Sequence, residues 1–117
     1  MLIGRVAELT GASRKAIRHY ESIGLIEKPE RLGSYRNYTD HDVVIISMIK
    51  RAQSLGFNLA ELKELVLQKT LDEKLPMELA CSLIDTKLIN INNELESLVL
   101  KQQNLEAFKI DLIKNFT

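Results

Sequence analysis

The sequence predicts a mainly α fold, with a winged helix-turn-helix over residues 1–70 followed by one long coiled-coil helix over 77–117. Three observations carry that reading. Glycines and capping residues cut the N-terminal part into short amphipathic helices. Between two of them lies KPERLGSYRNYT, which holds Pro29 and Gly33 and alternates as a small hairpin does. From Pro76 to Phe116 there is then neither Gly nor Pro, and apolar residues recur every seventh position.

The elements follow in order. IGRVAELTG carries Ile3, Val6, Ala7 and Leu9 on a helical face, and Gly11 stops it. Ser13 is a good N-cap for SRKAIRHYES, which Gly24 ends, so that Leu25 and Ile26 turn inward. Two short helices joined by a tight glycine-containing turn make a helix-turn-helix. The hairpin reads as strands near 26–28 and 35–38. Asp40 caps DHDVVIISMIKRAQSLG, closed by Gly56, and Asn58 caps NLAELKELVLQ. Residues 71–76 read as a linker, and Pro76 suits the entry to the next helix.

That last helix, about forty residues, would run roughly 60 Å. Met77, Ile84, Ile91, Leu98, Leu105 and Leu112 are seven apart, and Cys81, Leu88, Leu95, Gln102, Lys109 and Phe116 stand four residues after each. This is a heptad seam, weakened where Gln102 and Lys109 interrupt it. The helix is too long to bury itself against the preceding domain, and the simplest partner is a second copy. Met77, Cys81, Ile84, Leu88, Ile91, Leu95, Leu98, Leu105 and Leu112 are then the interface. The alternative is a helix folded back on its own domain.

Composition narrows the function classes. Lys and Arg number 16, as do Asp and Glu, so net charge names no partner. Its distribution says more: residues 1–56 hold nine basic against six acidic side chains, and residues 57–117 hold seven against ten. That split fits a basic binding part and an acidic remainder. One cysteine allows no internal disulfide and suits a reducing cytoplasm. The N-terminus lacks a signal peptide's apolar run, and VVIISMI is too short to span a bilayer, so a soluble, cytoplasmic protein without membrane contact is expected. Two His, one Cys and no glycine-rich phosphate loop leave little with which to build an enzyme. No His/Cys set has ligand spacing, so no metal or other cofactor is expected.

The second helix carries the functional signal. On a helical wheel Arg14, Arg18, Ser22, Lys15 and His19 fall within an arc of about 140°, with Ala16, Ile17 and Ile23 opposite and Tyr20 at the edge. A cationic outer face on the second helix of a helix-turn-helix is the geometry that enters a DNA major groove. Arginine there can read guanine edges with two bonds or neutralise phosphates. A solvated basic face is the bland alternative. The hairpin tips the balance: Lys28, Arg31, Tyr35, Arg36 and Tyr38 place further charge and hydroxyls on a wing beside that helix, where they suit phosphate oxygens. For the tyrosines, core packing is the competing reading.

In these stretches the chain resembles the MerR family of bacterial transcription regulators. The R-x-Y-E of SRKAIRHYESIGLI, the G-L-I after it, the Y-R-x-Y of SYRNYTDHDV and the block LGFNLAELKELV occur in order. The resemblance implies a homodimer paired antiparallel through the long helix. It implies binding to double-stranded DNA at a pseudo-palindrome inside a promoter whose spacer is overlong, and distortion of that spacer so that RNA polymerase engages both elements. It casts Lys15 and Arg18 as groove-facing residues and Tyr20, Tyr35, Arg36 and Tyr38 as backbone clamps, while His19 stands where an aromatic residue is common. Metal-sensing members carry cysteines where Met77 and Leu112 stand here, which argues against a soft-metal sensor. Cys81 reads as a small seam residue, with a redox switch as the alternative. Two other functions fit the residues: a DNA-architectural or excision factor with the same winged fold, and a coiled-coil adaptor.

Overall fold

The structure is a computed structural model that describes residues 1–69 and 74–117. It divides into two compact units, Met1–Pro76 and Met77–Thr117. Residues 71–73 of the expected linker lie outside the described residues. Among those described, no helix is long and apolar enough to cross a membrane.

The first unit runs α1 (Ile3–Thr10), α2 (Arg14–Ser22), β1 (Glu30–Leu32), β2 (Tyr35–Asn37), α3 (Asp40–Ser54) and α4 (Leu59–Leu67). Helix α1 ends because Gly11 takes a left-handed φ of 76°, which lets its N–H reach the Ala7 carbonyl at 3.0 Å. The chain then enters α2 through Ser13, whose hydroxyl accepts from the Ala16 N–H at 3.0 Å. At the far end the Leu25 N–H bonds back to the Tyr20 carbonyl at 2.9 Å, and this reversal, with Gly24 at a φ of 80°, sends Leu25 and Ile26 into the core.

That inward turn corrects the expected first strand. Residues 26–28 form no strand: Ile26 is buried in the core, and pairing begins only after Pro29, at Glu30. The register is Glu30 opposite Asn37, Arg31 opposite Arg36 and Leu32 opposite Tyr35, so Gly33 and Ser34 form a two-residue connection. The second strand stops at Asn37 instead of 38, because the Tyr38 N–H leaves the hairpin and bonds the Met1 carbonyl at 2.7 Å.

The cap of α3 is also corrected. Thr39, not Asp40, is the N-cap: its hydroxyl accepts from the Asp42 N–H at 3.1 Å while the Asp42 carboxylate accepts from the Thr39 N–H at 2.9 Å. This reciprocal box satisfies two N–H groups at once, which a cap at Asp40 would not. Asn58 and Glu61 build the same box at α4, where Asn58 was the expected cap.

One apolar core holds the unit together. Val6 from α1, Ile17 and Tyr20 from α2, Leu25 and Ile26 from the turn, Tyr38 after the hairpin, and Ile46 and Ile49 from α3 are buried together with Ala12. Completely burying a side chain such as Ile17 contributes about 2 kcal/mol. The core lies beneath the inner face of α2 and leaves its outer face in solvent. The second unit is α5 (Met77–Phe116), 40 residues of uninterrupted helix in which no side chain is buried.

Candidate nucleic-acid interface

Burial of one face of α2 dictates what the other presents. With Ile17 and Tyr20 packed inward, Arg14, Lys15, Arg18 and His19 are all exposed, as the wheel expected. Lys28, Arg31 and Tyr35 are exposed along the hairpin and its approach, and Arg36 is half-buried. Between the first turn of α1, the outer side of α2 and β2 runs a groove of about 580 Å³. Arg5, Arg14, Arg18 and Arg36 line it with Tyr35, and Glu8 is its one acid among the described residues. Glu8 is bonded to Arg5 at 3.1 Å, an exposed pair of little energetic weight. The groove therefore presents mainly cationic donors to an anionic ligand.

Gly4 makes room for part of this arrangement. A Cβ at that position would lie 2.7 Å from Nη2 of Arg14, so the Arg14 guanidinium is laid across the start of α1. A bulkier residue there would displace the guanidinium.

Two of the expected clamps are corrected. Tyr20 and Tyr38 are each 2% exposed and belong to the core. The Tyr20 hydroxyl donates to Oε1 of Gln53 on α3 at 2.5 Å, joining α2 to α3. The Tyr38 hydroxyl is buried and makes no hydrogen bond among the described residues. Burial pushes both hydroxyls above their usual pKa. Glu21 and Asp42 push Tyr38 further up, while Arg36 and Arg18 pull it down. An aromatic ring at the edge of an apolar face packs inward when core volume is available, and here it is.

Arg36 is brought to the site with a partner that sequence reasoning missed. Its Nε donates to both oxygens of Glu21, at 2.9 Å to Oε2 and 3.3 Å to Oε1. Glu21 lies about 20° outside the basic arc on the wheel, and an acid at that edge was the available signal. Arg31, by contrast, reaches only the Ser34 carbonyl among the described residues, at 3.4 Å. Among the described residues no group of three His, Cys, Asp or Glu side chains could hold a metal ion, and Cys81 is an exposed free thiol.

A helix-turn-helix with a hairpin wing and an arginine-lined groove between them defines a winged DNA-binding protein. Comparison with known proteins gives the family. The family model described as MerR HTH family regulatory protein matches residues 1–69, and that described as MerR, DNA binding matches residues 43–108. The HTH-type transcriptional regulator HmrR of Sinorhizobium medicae is 46% identical over 67 residues, 56% of this chain and 46% of that protein. The mercuric resistance operon regulatory protein of Shigella flexneri is 36% identical over 99 residues, 84% of this chain and 67% of that protein. The chain belongs to the MerR family of DNA-binding transcription regulators, and its relatives are regulators, not enzymes. It spans about half the length of several curated relatives, 46% for HmrR.

Solved structures agree on the fold. A MerR family transcriptional regulator from Bacillus cereus superposes with a TM-score of 0.65 at 21% identity, covering 100% of this chain and 85% of that one. MtaN, the N-terminal part of the Bacillus subtilis multidrug transporter activator, gives 0.64 at 24% identity, covering 90% and 96%. The EcmrR–DNA complex in EcmrR-RPo gives 0.62 at 20% identity, covering 100% and 41%.

Proposed function

We propose that the chain works as a homodimer, paired antiparallel through α5, which binds a pseudo-palindromic promoter site and distorts an overlong spacer for RNA polymerase. The observation that carries this is the unburied seam of α5. Ile84, Leu88, Ile91, Leu95, Leu98 and Leu105 repeat in heptad spacing and are all 45–61% exposed. A soluble protein rarely leaves such a stripe uncovered. Orientation follows from charge. In a parallel pair each seam residue meets its own twin, so the two Lys109 ammonium groups would face each other, whereas an antiparallel pair separates them.

In this reading Arg14, Lys15, Arg18 and His19 enter the major groove. Lys28, Arg31, Tyr35 and Arg36 hold the flanking backbone. Bending a promoter-length segment costs several kcal/mol, which two sets of contacts at a fixed separation can supply. Polymerase at the promoter is the partner that this reading implies, and the similarly folded EcmrR is itself seen in complex with DNA. Sedimentation together with a bend-sensitive gel shift tests the proposal. The wild type should be dimeric and bend its site. Ile91→Glu should sediment as a monomer, lose operator affinity by at least an order of magnitude, and leave no bend. A monomeric wild type, or an unbent complex, would overturn it.

A further inference from the structure

Glu21 poses a problem for a DNA-facing surface. It is an acid at the edge of the basic face of α2, and a carboxylate there repels phosphate. Its surroundings explain its presence. The Glu21 side chain is 9% exposed and that of Arg36 30%, and the bond between them joins the last turn of α2 to the wing strand β2. Only Nε of Arg36 is engaged: among the described residues, neither terminal Nη group makes a hydrogen bond. Arg36 also lines the groove between α1, α2 and β2. A guanidinium gripped by its inner nitrogen keeps its outer fork for a second, anionic partner.

We propose that Glu21 is a positioning residue for DNA binding, holding Arg36 through Nε so that its two Nη groups meet a backbone phosphate. The geometry of a duplex favours that ligand. A strand's phosphates separate the major groove, taken by α2, from the minor groove beside the wing. The space between helix and wing is therefore where backbone passes. An untethered arginine loses substantial rotamer freedom when it binds, and one fixed beforehand loses less. The carboxylate also ties β2 to α2, which sets the width of the groove. The inference rests on the reading that α2 and the hairpin contact DNA together.

Charge alone and positioning predict opposite signs. Removing an anion from a DNA-facing surface should tighten binding, whereas removing a positioning residue should weaken it. The test measures affinity across a salt series for a duplex selected in vitro by the wild-type protein, with thermal unfolding of each variant used to correct for the folded fraction. Glu21→Gln should weaken binding by about fivefold or more, on the order of one or two immobilised side chains, and leave the salt slope unchanged. Arg36→Gln should weaken binding and lower the slope by about one per protomer, as loss of a phosphate contact does. Adding Glu21→Gln to Arg36→Gln should change nothing further. Arg36→Lys, which keeps the charge but not the Nε tie, should resemble Glu21→Gln. Equal or tighter binding by Glu21→Gln overturns the proposal, as does a full additional loss in the Arg36→Gln background or wild-type affinity in Arg36→Lys. If the wild type itself selected no duplex, the reading of α2 and the hairpin as a DNA surface would fail instead.

Discussion

Two tyrosines with the same burial should behave oppositely when their hydroxyls are removed. Tyr20 donates to Gln53, so Tyr20→Phe strands a half-buried acceptor and should cost about 1 kcal/mol. Tyr38 has no hydrogen-bond partner among the described residues, so Tyr38→Phe should be neutral or stabilising in urea unfolding. Alkali gives a second readout. Both hydroxyls have pKa values raised by burial, so the folded state resists their ionisation. The stability tied to their neutral forms is complete below the usual tyrosine pKa of about 10 and is lost as pH rises through the higher folded values. Unfolding midpoints should therefore fall above about pH 10 in the wild type and fall less in the double Phe variant. The cationic face of α2 was legible from spacing alone, since helical periodicity fixes which of Arg14, Lys15, Arg18 and Ile17 share a side. The roles of Tyr20, Tyr38 and Glu21 were not. They depend on contacts 33 residues away for Tyr20 and 15 away for Glu21, which no local pattern encodes.

At the scale of elements, local chemistry decided most boundaries and tertiary packing decided the exceptions. Ser13, Asn58 and Gly11 act where their side chains or backbone freedom place them, because caps and left-handed turns are made within a few residues. The first strand moved from 26–28 to Glu30–Leu32 because burial of Leu25 and Ile26 outweighed their strand propensity. The start of α3 moved by one residue because a threonine with an acid three positions on satisfies two N–H groups. That difference can be measured. Thr39→Ala should cost about 1 kcal/mol of stability, the usual price of a lost N-cap. Asp40→Ala should cost only a few tenths, since Asp40 offers the helix dipole a charge but no cap. Equal losses for the two variants would restore Asp40 as the cap.

At the scale of the whole molecule, the proposed antiparallel pairing of α5 makes a prediction that the single thiol can read. Full overlap of two copies of Met77–Phe116 sets each residue opposite the one equally far from the other end. Cys81 then faces the position of Leu112 in the second copy, Leu88 faces Leu105, and Leu95 faces Leu98. The interrupting residues also find apolar company: Gln102 meets Ile91 and Lys109 meets Ile84, and the lysine stem can pack while its ammonium reaches water. The two Cys81 thiols lie roughly 45 Å apart along the axis, far beyond the Cα separation of about 4.4–6.8 Å that a disulfide needs. Mild oxidation of the wild-type dimer should therefore give no disulfide-linked species on a non-reducing gel. Leu112→Cys should give a dimer linked between position 81 of one copy and position 112 of the other, at either end of the seam, and mass spectrometry of the joined peptides would assign it. A parallel dimer reverses both results, since wild-type Cys81 would join its twin directly. A Leu112→Cys dimer locked by oxidation keeps the proposed register and should retain operator affinity.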